Sequence, residues 1–138
     1  MKMSARNQIK GTISEVKKGK VNTEVVIKVD ENVTLVSIIT NDAAEDMALV
    51  VGDVVYAVVK ASFVIVSKDK PSNISSRNVL ETKVSEVKNG AVNGEIKLAM
   101  GNQTITSIIT EGSVEELGLN VGDTAYALIK ANFIILAK

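Results

Sequence analysis

The 138 residues allow one ordinary domain or two small ones, and an apolar content of 46% is enough for a core. The 16 basic and 16 acidic residues cancel, so no global field draws the chain to nucleic acid or to an anionic membrane surface. Cysteine and histidine are both absent, which excludes disulfides, thiolate nucleophiles, soft-metal sites and imidazole acid–base chemistry.

Aromatics make up only 3%, so the core must come from Val, Ile, Leu and Ala, a mixture that favours strands. The opening MKMSARNQIKG has no apolar signal-peptide region, and no apolar stretch reaches the roughly 18–20 residues of a membrane span. A cytoplasmic protein without membrane contact is the expectation. Gln8–Lys17 alternates around Ile9, Ile13 and Val16 as a half-buried strand, and Gly19 then turns the chain. Asn22–Val29 and Val33–Thr40 read as a hairpin with Asp30-Glu31-Asn32 at its tip. A short helix is expected over Ala43–Val50, started by a capping box of Asp42 and Glu45; Met47 and Val50 give it a thin apolar stripe, suited to a lid on a barrel end. Gly52-Asp53 then leads into a strand at Val54–Lys60, and a last strand covers Phe63–Val66.

The whole pattern then repeats. SARN at Ser4–Asn7 returns as SSRN at Ser75–Asn78, and SEVKKGKVNTEV from Ser14 returns as SEVKNGAVNGEI from Ser85. TLVSIIT from Thr34 returns from Thr104 as TITSIIT, and VGDVVYAVVKASF from Val51 returns from Val121 as VGDTAYALIKANF. One residue is lost between Val29 and Thr34 in the second copy, as a hairpin tip allows, and Ser113 with Glu116 repeats the capping pattern. The division expected is a first domain at 1–68, a linker at 69–74 holding the sole proline, Pro71, and a second domain at 75–138. Copies of about 65 residues without staples are near the lower limit for independent folding, so copy-on-copy or chain-on-chain packing is expected.

Five strands with one helix between the third and fourth is the order of an OB-type barrel, and a swapped or more open small barrel would give the same string. The fold class expected is therefore all-β with a short helix, as two tandem OB-like five-stranded barrels.

Two motifs carry chemistry. Each copy has a lysine inside an apolar run, Lys60-Ala61-Ser62 and Lys130-Ala131-Asn132, and each has the arginine of SARN or SSRN, Arg6 and Arg77. A Ser/Lys hydrolase is disfavoured, because Asn132 replaces Ser62 while the lysine is kept. An OB-type nucleic-acid binder is disfavoured by zero net charge and by aromatics limited to Tyr56, Tyr126, Phe63 and Phe133. The motifs supply guanidinium, ammonium, hydroxyl, amide and backbone N–H donors and no carboxylate, which suits a tetrahedral oxyanion. A donor-only set with charge +2 leans towards a bare dianion such as sulfate, molybdate or tungstate over phosphate, which keeps a proton near pH 7. Each motif also has a plain structural alternative: a serine- and asparagine-bearing terminal turn, and an edge-strand lysine that discourages aggregation.

Taken together, SARNQIKGTISEVKKGKVNTEV, SIIT and VGDVVYAVVKAS resemble the Mop domain of the molbindins, and two copies resemble the tandem di-Mop type. The resemblance covers nearly the whole chain, leaving only the linker outside. It implies OB-like (Mop/TOBE-like) barrels, assembly as trimers, and molybdate or tungstate held as ligand at subunit interfaces, with no catalytic cofactor and no catalysis. Carried over by position, the oxyanion pockets would use Ser4, Ala5, Arg6, Asn7, Lys60, Ala61 and Ser62. Their second-copy counterparts are Ser75, Ser76, Arg77, Asn78, Lys130, Ala131 and Asn132. Gly19 with Asn22, and Gly90 with Asn93, are weaker candidates for sites near a three-fold axis. The function implied is storage and homeostasis of the oxyanion, with an anion-sensing module acting on a partner protein as the alternative. Ser76 and Asn132 depart from the pattern, which puts the equivalence of the two kinds of pocket in question.

Overall fold

The computed structural model describes residues 2–138. The first copy forms β1 (Asn7–Lys18), β2 (Asn22–Lys28), β3 (Thr34–Thr40), α1 (Asn41–Asp46), β4 (Val54–Val59), a 3-10 turn (Ala61–Phe63) and β5 (Ile65–Ser67). The second forms β6 (Asn78–Asn89), β7 (Asn93–Met100), β8 (Gln103–Thr110), α2 (Glu111–Leu117), β9 (Thr124–Ile129), a 3-10 turn (Ala131–Phe133) and β10 (Ile135–Ala137).

The strands build two five-stranded antiparallel sheets, ordered β10-β4-β1-β2-β3 and β5-β9-β6-β7-β8. The last strand of each copy therefore lies in the sheet of the other. Leu136 pairs with Ala57, and Val66 pairs with Ala127. Within each sheet the long first strand serves two partners: β1 pairs with β4 over Asn7–Thr12 and with β2 from Thr12 to Lys18. A bulge between Ile13 and Glu15, repeated between Val84 and Glu86, supplies the bend that this double pairing needs. Alternation on the strands points Ile9, Ile13, Val25, Ile27, Leu35, Val55 and Ala57 inward, with their second-copy equivalents, into one continuous aliphatic core.

The break expected at the lysines is real: β4 ends at Val59 and β9 at Ile129, and Lys60 and Lys130 open the 3-10 turns. The final strands begin later than expected, because Phe63 and Phe133 belong to those turns. The helices start earlier than expected. Thr40, still extended at the end of β3, accepts the Ala43 N–H through its hydroxyl, and Thr110 accepts the Ser113 N–H in the same way, each at 3.1 Å. With a strand-terminal threonine in place, Asp42 and Ser113 lie inside their helices and do not cap them. α1 ends at Asp46 and buries no residue of its own, so the expected stripe of Met47 and Val50 lies beyond it with Val50 exposed; α2 buries Val114, and the core contact after each helix is made by Leu49 or Leu119. The strand exchange also closes α1 from outside: Lys138, the last residue, donates to the carbonyls of Met47 and Ala48 at 3.1 and 3.3 Å.

Two asparagines tie the sheets together. Asn7 at the start of β1 donates from Nδ2 to the Thr106 carbonyl at 2.8 Å and accepts the Thr106 N–H at 2.7 Å. Asn78 does the same to Val36 of β3, at 2.8 and 2.7 Å. Each amide acts as one residue of a strand laid against the outer edge of the opposite sheet, where backbone groups would otherwise be unpaired. Ser37 and Ser107 add hydrogen bonds of 2.7 Å to the Ile134 and Val64 carbonyls, fixing the exchanged segments just before β10 and β5.

Because every sheet contains strands of both copies, urea unfolding should follow one cooperative transition, and two separated transitions would contradict this interlock. Asn78→Ala should cost about 1–3 kcal/mol in the same experiment, since the Val36 backbone groups lose their partner. Ala48 has φ 49°, whereas its second-copy counterpart is Gly118 at φ 57°. Ala48→Gly should therefore stabilise the protein by about 0.5–1 kcal/mol, read as a raised midpoint.

Candidate oxyanion site

The ladder places the two motifs side by side. Asn7 pairs with Val59 and Asn78 with Ile129, so the next residues outward, Arg6 with Lys60 and Arg77 with Lys130, leave the same end of neighbouring strands. Each arginine thus leaves its strand beside the lysine of its own copy. Exchange begins only after the 3-10 turn, and the turns of the two copies then abut: the Phe63 and Phe133 rings lie 4.9 Å apart at 34°. Lys130 sits with its ammonium 5.6 Å from the centre of the Phe133 ring. The aromatic pair packs between the copies while each ring stays partly open to solvent.

In each turn the first bond closes from the Phe63 N–H to the Lys60 carbonyl, or from Phe133 to Lys130, at 2.9 Å. The N–H groups of Ala61 and Ser62, and of Ala131 and Asn132, precede that bond and have no acceptor within the turn. The Lys60, Lys130, Ser62, Asn132, Ser4 and Ser75 side chains are exposed, while Ala61 and Ala131 are buried and leave room for close approach of the backbone. Asn7 and Asn78 are buried, with their amides engaged in the scaffold contacts described above; what they contribute here is the placement of the adjoining arginine.

The departure at Ser76 has a structural cause. In the first copy Gln8 holds the Ala5 carbonyl at 3.1 Å. The matching residue in the second copy is Val79, and there the Ser76 hydroxyl secures the segment, sharing its one proton between the Asn78 and Ile129 carbonyls at 3.0 and 3.1 Å. Ser76 is turned towards the backbone and away from the exposed donors.

Gly19 and Gly90 form turns at the other end of β1 and β6, each donating its N–H to the carbonyl of Asn22 or Asn93 at 2.8 and 3.0 Å. A Cβ on either glycine would stand 2.8 Å or less from that oxygen, which explains glycine here without any ligand. Within a copy these turns lie far from the lysine. Between copies they come closer: Ser62 and Asn93 line one groove of about 800 Å³, together with Lys68, Thr110, Ser113 and Glu116.

Sequence reasoning missed two carboxylates. Arg6 Nη1 donates to Glu95 Oε2 on β7 at 2.8 Å, and Arg77 donates to Glu24 on β2. The motifs are donor-only, but the assembled site is not: each arginine meets a glutamate of the opposite copy. The only hint in the sequence is that Glu24 and Glu95 occupy matched positions in the repeat. Bonding to Arg6 holds the Glu95 carboxyl below the ordinary glutamate range.

Paired curled sheets with short helices, duplicated in tandem and interlocked by their last strands, define a double small-barrel protein built on the OB plan. The chain belongs to the TOBE domain family, whose model matches residues 3–66 and again 74–136. It is 40% identical over 139 residues to the molybdenum-pterin-binding protein MopA of Rhodobacter capsulatus, covering 99% of this chain and 52% of that protein. It is 36% identical over 138 residues to the molybdenum transport protein ModE of Azotobacter vinelandii, covering 99% and 51%. The chain thus spans about half the length of these curated relatives. Among solved structures, the cytoplasmic molybdate-binding protein ModG, with molybdate bound, superposes with a TM-score of 0.94 at 42% identity, covering 99% of both chains.

Since Arg6 lowers the folded-state pKa of Glu95, the pair stabilises the fold above the ordinary glutamate pKa, and this contribution is lost as pH falls through the lowered value. Arg6→Ala should raise the Glu95 carboxyl towards the ordinary glutamate range, measured by NMR titration of the side-chain carboxyl.

Proposed function

We propose that this protein binds molybdate or tungstate reversibly and serves cytoplasmic storage and homeostasis of the oxyanion, without catalysis. The observation that carries this reading is the ladder register, which sets Arg6 beside Lys60 and Arg77 beside Lys130 at the mouths of turns with unused N–H groups. The pockets proposed use Ser4, Ala5, Arg6, Lys60, Ala61 and Ser62 with their second-copy counterparts, and Asn7 and Asn78 as supports. The relation to ModG, described as a cytoplasmic molybdate-binding protein, supports both ligand and compartment. Among the described residues no helix is long and apolar enough to cross a membrane.

Assembly as a trimer belongs to the same proposal. Large apolar residues are exposed at matched positions of both copies, Val21 with Val92 at 72% and 74%, and Ile65 with Ile135 at 61% and 65%. Exposed apolar surface repeated in this way suits burial against further chains, with pockets completed at those interfaces. A second reading, sensing on behalf of a partner protein, draws on the match to half of the longer ModE.

Equilibrium dialysis against molybdate tests the main reading. Saturable uptake that sulfate competes for poorly is expected, and Lys60→Ala should weaken its pockets about 10- to 100-fold, as loss of one charge-assisted hydrogen bond does, without unfolding the chain. Absence of saturable uptake would sink it. Recovery of a stoichiometric partner in a pull-down would favour sensing over storage.

A further inference from the structure

Of the ion pairs that cross between copies, the two made by the site arginines are not accounted for by storage alone. Arg6 binds Glu95 at 2.8 Å, and Arg77 binds Glu24, so the same pair occurs reciprocally. Within each pair the partners differ in freedom. The glutamate side chains are only 20% and 25% exposed, held on β7 and β2 opposite Ile108 and Ile38. The arginine side chains are 54% and 50% exposed and lie just outside β1 and β6. The carboxylate is the fixed partner, and the guanidinium is the one that can swing.

We propose that Glu95 and Glu24 are built-in competitors for the site arginines, so that an oxyanion enters each pocket by exchanging with a carboxylate of the opposite copy. This rests on the pocket reading above. Each arginine gives its glutamate one hydrogen bond, from Nη1 of Arg6 and Nη2 of Arg77, and a dianion that takes that end of the guanidinium must displace the glutamate or share the arginine with it. A half-exposed ion pair is a weak competitor, so exchange is feasible and occupancy is tuned, not blocked. The dianion has the advantage of a second charge, matched by the adjacent Lys60 or Lys130. The glutamate left behind is not stranded, because Lys88 and Lys97 both act on Glu95 through their charge, while Lys97 also pairs with Glu86 at 3.3 Å. Each exchange moves an arginine of one copy away from a glutamate of the other, so filling a pocket alters a contact between copies.

The test is calorimetric titration of molybdate into the full chain and its Glu95→Gln, Glu24→Gln and double variants, with Arg6→Ala as reference. Glutamine keeps the shape and removes the charge. Each single substitution should tighten binding about two- to fivefold, and the double variant should tighten it further. In the wild-type chain, saturation with molybdate should move the Glu95 carboxyl titration up towards the ordinary range, a readout that needs no variant. Unchanged or weaker binding by folded glutamine variants overturns the proposal; so does a Glu95 titration unmoved by saturation. If Arg6→Ala loses uptake while Glu95→Gln changes nothing, only the competitor role fails. If the wild-type chain takes up no molybdate, the pocket reading fails and this proposal falls with it.

Discussion

The structure depends on the reciprocal exchange of β5 and β10. Neither copy supplies all five strands of its own sheet, and the missing strand in each case comes from the other copy. Backbone groups on β4 and β9 that would otherwise face solvent are paired by these short segments, and Val64, Val66, Ile134 and Leu136 complete the shared core. A copy of about 65 residues without disulfide or metal has little core to spare. The exchange makes one larger core from two marginal ones, and it forces the 3-10 turns to face each other across the aromatic pair of Phe63 and Phe133.

That constraint also positions the candidate site. Arg6 and Lys60 come together through the β1–β4 ladder inside one copy, whereas the groups around them come from the other: Thr106 behind Asn7, Glu95 against Arg6, and Asn93 across the groove from Ser62. Local pairing fixes the positive charge, and packing of copy on copy fixes its surroundings. The divergence between copies follows the same division. Ser76 serves the backbone where Gln8 has been replaced, while Asn132 changes an exposed side chain without altering the turn.

Much of this was legible in the sequence because it is local. Period-two alternation marked the strands, the lysines marked the breaks after β4 and β9, and the lost residue marked the β7–β8 turn. The caps were misplaced because Asp42 and Ser113 fit the pattern of a capping box, while the threonines that cap read as the last residues of strands. The role of Asn7 was hidden by its setting beside Arg6: a buried amide pairing with a distant backbone has no signature in spacing. The exchange itself leaves no trace in periodicity, since β5 and β10 read the same whichever sheet they join. For the same reason the pairing of Arg6 with Glu95 could not be foreseen.

The linker around Pro71 has a consequence beyond joining two units. Strand exchange between separate single-copy chains would be a second-order event, and the folded fraction would then rise and fall with protein concentration. Joined through Lys68–Ser75, the two halves meet at the effective concentration of a short tether, of millimolar order, however dilute the protein. A fold that would otherwise need a dimer becomes a property of the single chain. Dilution alone therefore does not unmake the barrels.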